Sequence, residues 1–67
     1  MSLVIVDTDE YIYSNSEGHG RGFRISLVLN YEHPQIIITK ERNGMYHIAG
    51  KYGKLGWVYP SAIITFL

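Results

Sequence analysis

Three histidines, six tyrosines, one tryptophan and a glycine-rich run are the residues of this chain whose types and spacing could do chemistry. His19, His33 and His47 could hold zinc if their imidazoles converged. They fall far apart, in a loop, a turn and a strand, without a close pair that would force them together, so they read as three unrelated side chains and no metal is expected. The run Gly18-His19-Gly20-Arg21-Gly22 could cradle an anion, because successive backbone N–H groups form a nest and Arg21 adds a charge. It lacks the lysine and hydroxyl residue of a phosphate-binding loop and is not placed between a strand and a helix. It is expected to be a mobile loop, and, as loops on rigid scaffolds carry recognition, a place where a partner touches. Ser14, Ser16 and Ser61 have no nearby carboxylate–histidine arrangement, so nucleophilic catalysis is not expected and no cofactor is implied.

The tyrosines need a different explanation. Tyrosine offers rigid amphipathic contact area and is enriched at interfaces. Tyr46 reads as facing the core, whereas Tyr11, Tyr13, Tyr52 and Tyr59, with Trp57 partly beneath them and Pro60 beside them, form one side of a candidate recognition surface. Glu17, His19 and Arg21 on the early loop complete the candidate contact set.

These residues must be positioned by a single small domain spanning residues 1–67. A chain of this length buries only about 60% of its unfolded surface. With no cysteine there is no disulfide or thiolate–zinc staple, so apolar packing must hold it, and 46% hydrophobic residues make that feasible. Six basic and six acidic residues cancel. Proteins that neutralise many phosphates carry a cationic surplus, so nucleic-acid binding is not expected. The apolar start is short, lacks a basic lead and soon meets Asp7, Asp9 and Glu10, so it does not read as a signal peptide. No window approaches a membrane span. The expectation is a cytoplasmic protein without membrane contact.

The elements are short. Leu3 to Val6 is a β-branched run ended by a polar cluster, and Tyr11 to Tyr13 resumes the apolar character. Phe23 to Leu29 alternates apolar residues at 23, 25, 27 and 29, which predicts a strand. Asn30 to Gln35 is a turn around Pro34, Ile36 to Thr39 is a strand, and Asn43-Gly44 is the strongest two-residue hairpin signal. Met45 to Ile48 and Leu55 to Val58 form a second hairpin around a turn through Gly50 to Lys54, with Gly53 and Gly56 where positive φ or close backbone approach is needed and Trp57 as the bulky anchor of the core. Pro60 stops it, and a single turn leads into a last strand, Ile63 to Leu67. About five or six short strands with turn signals roughly every eight to twelve residues predict an all-β chain closed into a small barrel or two orthogonal sheets.

The stretch Gly44 to Ile63 resembles the C-terminal part of the bacterial SH3 family. Gly44-Met45-Tyr46-His47-Ile48 matches its aromatic strand, Gly53-Lys54-Leu55-Gly56-Trp57-Val58 its Gly-Trp-Val strand, and Tyr59-Pro60-Ser61-Ala62-Ile63 its exit turn. The resemblance implies an SH3-like barrel of short antiparallel strands with a 3-10 turn near the C-terminus. It implies a non-enzymatic module that binds a protein or peptide, as a regulator of a larger protein or as a binder of cell-wall peptides; assembly of a homo-oligomer through an open strand edge is the other option. Met45 and Ala62 stand where related domains commonly carry groove-lining aromatics, which weighs against proline-rich ligands. The acidic residues Asp7, Asp9, Glu10 and Glu17 would, by the same resemblance, select a basic residue in the partner; otherwise they form a solvated turn.

Overall fold

The computed structural model describes residues 2–17, 21–29, 35–50 and 53–67. Its strands are β1 (Ser2–Val6), β2 (Tyr11–Tyr13), β3 (Gly22–Arg24), β4 (Gln35–Arg42), β5 (Met45–Gly50), β6 (Gly53–Val58) and β7 (Ile63–Phe66). They form one antiparallel sheet in the order β3-β2-β6-β5-β4-β1-β7. A 3-10 turn, Pro60–Ala62, precedes β7. Among the described residues no helix is long and apolar enough to cross a membrane.

Local chemistry accounts for the hairpins. Asn43 and Gly44 both have positive φ, 54° and 75°, the requirement of a two-residue turn whose twist matches its strands. Gly50 pairs with Gly53 across positions 51 and 52. Pro60 opens the 3-10 turn, where its fixed φ suits the first position, and the Ala62 N–H donates to the Tyr59 carbonyl at 2.9 Å.

The principal core lies inside the curled sheet. Val4 and Val6 from β1, Ile36 and Ile38 from β4, Ile48 from β5 and Val58 from β6 all point inward, as the period-2 alternation of strands requires. Ile12, Ile25, Leu29 and Ala62 close the ends, and Tyr46, Leu55 and Ile63 pack against the cluster.

Three expectations are corrected. The run from Phe23 is not one strand: β3 ends at Arg24 and a four-residue helix, α1 (Ile25–Val28), follows. Of the apolar residues 25, 27 and 29, only Ile25 and Leu29 are buried, a spacing of four that suits one helical turn, while Leu27 is exposed. The turn is fixed from outside, because the Ile25 and Ser26 N–H groups donate to the Glu10 and Thr8 carbonyls at 2.8 and 3.0 Å. Second, Gly22 belongs to β3 and not to the early loop, so Tyr11–Tyr13 and Gly22–Arg24 pair antiparallel, and among the described residues there are seven strands. Third, Trp57 is not part of the principal core; it lies on the opposite side of the sheet. Of the turn expected at Asn30 to Gln35, Gln35 opens β4 instead, while positions 30–34, with His33, and positions 18–20 and 51–52, with His19 and Tyr52, lie outside the described residues.

Candidate functional site

The outer face of β2, β6, β5 and β4 carries a second cluster. Tyr13 pairs with Trp57, Trp57 with His47 and His47 with Lys40, so these four side chains form a row across the sheet. Trp57 and His47 are only 7% and 8% exposed. Their rings meet edge to face with centroids 5.0 Å apart. Above the indole stand the Lys40 ammonium, 5.7 Å from the ring centroid, and the Arg42 guanidinium, 5.4 Å from it.

His47 is held by an irregularity in β4. The β4–β5 register shifts between Ile38 and Lys40, which leaves Thr39 as an extra residue in β4. Its hydroxyl donates to the His47 carbonyl at 3.2 Å and lies 2.7 Å from the ring Nδ1. This short contact pins the imidazole to Thr39, the ring nitrogen donating in one tautomer and accepting in the other. Burial, and after it the positive charges of Lys40, Lys54 and Arg42, hold the His47 pKa below its ordinary value of 6.5. The unfolded chain therefore takes up a proton that the folded one resists. This contribution to stability is fully present above the ordinary value and is lost as pH falls through the folded value. Melting curves between pH 8 and pH 5 should show the wild-type midpoint falling more steeply than that of His47→Asn; parallel curves would show that another group governs acid sensitivity.

Beyond Trp57 the row continues into exposed aromatics. Tyr59 meets Tyr13 edge to face at 5.6 Å. Tyr11 pairs with Arg24, whose guanidinium lies 5.7 Å over the phenol ring. Gly22, opposite Tyr13, makes room for both rings of β2: a Cβ there would meet Tyr13 at 2.7 Å and Tyr11 at 3.2 Å. Tyr11 and Tyr59 are 44% and 43% exposed, so this is a ridge open to a partner on a floor that is closed.

The sequence-predicted contact residues divide accordingly. Tyr11, Tyr13, Trp57 and Tyr59 come together on this face, and Pro60 follows directly as an exposed residue. Arg21 carries its guanidinium 5.5 Å over the Phe23 ring. With Tyr13 of the ridge it lines an apolar cavity of about 230 Å³, together with Ile12, Phe23, Val28 and Leu55. Glu17 is exposed in the early turn, its N–H donating to Asn15 Oδ1 at 2.9 Å. Met45 and Ala62 are buried. Asp7 caps its own turn, its carboxylate accepting the Asp9 N–H at 3.0 Å. Among the described residues no group of three His, Cys, Asp or Glu side chains could hold a metal.

The cations were not anticipated. Lys40 and Arg42 share a face because they are two apart in a strand, while Glu41 between them pairs with Tyr46, which packs toward the core. The signal was the alternation Lys-Glu-Arg leading into the Asn-Gly hairpin. Comparison with protein-family models, with curated proteins and with solved structures returns no match.

Proposed function

We propose that this chain is a non-enzymatic binding module that docks a peptide or protein surface through the ridge of Tyr11, Tyr13 and Tyr59. One observation carries the reading: exposed aromatics stand together on a rigid floor of Trp57 and His47, so little conformational entropy is lost when a partner covers them. The resemblance of Gly44 to Ile63 to the bacterial SH3 family supports it, and on that resemblance the partner is a larger protein that the module regulates or a cell-wall peptide. The test is to capture the partner from a lysate of the source, identify it and titrate it calorimetrically. Tyr11→Ala with Tyr59→Ala should weaken affinity by about 30-fold or more, the scale of one interface hot spot. The melting temperature should be nearly unchanged, because both rings are exposed. Unaltered affinity would place the contact elsewhere.

A second reading is favoured by the other end of the sheet. β7 is an edge strand, and Leu3, Ile37, Ile64 and Leu67 beside it are exposed, with Ile64 at 63% and Leu67 at 65%. Such an edge, without a charged or proline residue to block it, is suited to pairing with a second copy. Light scattering over a concentration series, repeated with Ile64→Lys, tests this. A mass that doubles in the wild type and not in the variant would establish it, and a concentration-independent monomer would dismiss it.

A further inference from the structure

We infer that the partner segment bound by the tyrosine ridge is an extended acidic peptide, carrying carboxylates at both ends of a stretch of at most about six residues and an uncharged aromatic or apolar middle. The inference rests on the docking reading above and adds the chemistry of the occupant.

Formal neutrality of the chain conceals a segregated surface. Arg24 stands at one end of the outer face, over Tyr11. Lys40 and Arg42 stand at the other, over Trp57, and Lys54 is near enough to act on His47. All four are exposed. The charges that bear on His47 are all positive. Between the two cationic ends lie Tyr13 and Tyr59, which carry no charge. From β3 to β4 the sheet crosses four strand spacings of about 4.8 Å, roughly 19 Å in all, and because the Arg24, Lys40 and Arg42 head groups lean inward over Tyr11 and Trp57 the charges lie closer than that, within the reach of an extended peptide of about six residues or fewer.

The pattern decides between two anionic chains. A single-stranded nucleic acid bears a charge at every nucleotide and would lay phosphates over the uncharged middle. A peptide can place carboxylates only where the cations are and set a ring or proline against Tyr13 and Tyr59. Arg24 and Arg42 also offer the planar fork that carboxylates accept bidentately.

The experiment is selection of a phage-displayed library of random octapeptides on the immobilised protein, followed by affinity measurement on the synthesised consensus. The expected consensus has Asp or Glu at two positions separated by no more than about six residues. Its affinity should fall about tenfold or more in Arg24→Gln with Arg42→Gln, while the melting temperature, checked in parallel, stays within a few degrees. A basic or uncharged consensus, or one indifferent to that double variant, overturns the inference; if Tyr11→Ala still abolishes its binding, the docking reading stands. Displacement of the consensus by a ten-nucleotide oligothymidylate at micromolar concentration overturns it in favour of nucleic acid. Failure to enrich any sequence also overturns it, and the calorimetric titration of the captured partner then decides the docking reading separately.

Discussion

Alanine at Trp57 should remove most or all of the folded population. Truncation of a buried aromatic costs about 3–5 kcal/mol, and a single core in a domain of this size rarely supplies more than about that in total. Trp57 is buried, and its loss takes away the ring that His47 packs on, the cross-strand neighbour of Tyr13 and the surface under Lys40 and Arg42. Its removal also leaves the Thr39–His47 hydrogen bond open to water. Because the variant lacks the only tryptophan, unfolding should be followed by near-ultraviolet circular dichroism of the tyrosines. Trp57→Phe keeps an aromatic floor and should retain a cooperative transition. A Trp57→Ala protein that melted within a few degrees of wild type would show that the outer cluster contributes little and that the inner core suffices.

The second large effect is expected at Gly56. Its φ of 146° is a conformation that side chains rarely adopt, and an added Cβ would lie 2.8 Å from the Tyr13 carbonyl oxygen and 2.9 Å from Ile12 Cγ1. Backbone strain of about 1–3 kcal/mol and a similar cost for overpacking give a loss of about 2–6 kcal/mol for Gly56→Ala. The contact is with backbone, which cannot rotate aside. Gly44 has positive φ too, but a Cβ added there would meet nothing within 4 Å. Gly44→Ala should therefore cost only the strain, about 1–2 kcal/mol. Urea midpoints of the two variants separate these terms. Equal losses would mean that β2 shifts away from β6 at little cost.

The C-terminal half was legible because its signals are local. Asn43-Gly44 specifies a turn by its own conformational preferences, Pro60 specifies the stop, and Gly53 and Gly56 do show the positive φ their positions required. The segment around Ile25 was not, because what makes it helical is remote: the Thr8 and Glu10 carbonyls accept its N–H groups. Apolar alternation at 23, 25, 27 and 29 satisfies a strand pattern as well as it satisfies a helical pair at 25 and 29. The candidate surface was half legible. Its tyrosines could be picked out by type, and Tyr11, Tyr13 and Tyr59 do share a face, while Trp57, which the sequence offers both as core anchor and as partly beneath the tyrosines, is put on the tyrosine side by the register. The cations were hidden by the arithmetic of net charge, which sums over a molecule what the strand pleat separates in space.

The extra residue in β4 has an electrical meaning. Thr39 opposes no partner of its own, and because of it Lys40, not Thr39, falls opposite His47. If β4 ran without that irregularity, Thr39 would take the place opposite His47 and every later residue would turn over: Glu41 would come to the outer face, and Lys40 and Arg42 would leave the indole. The composition would be identical, yet this end of the outer face would carry one carboxylate in place of two cations. One threonine thus sets the reading frame of the strand and, with it, the sign of the charge that stands beside the indole.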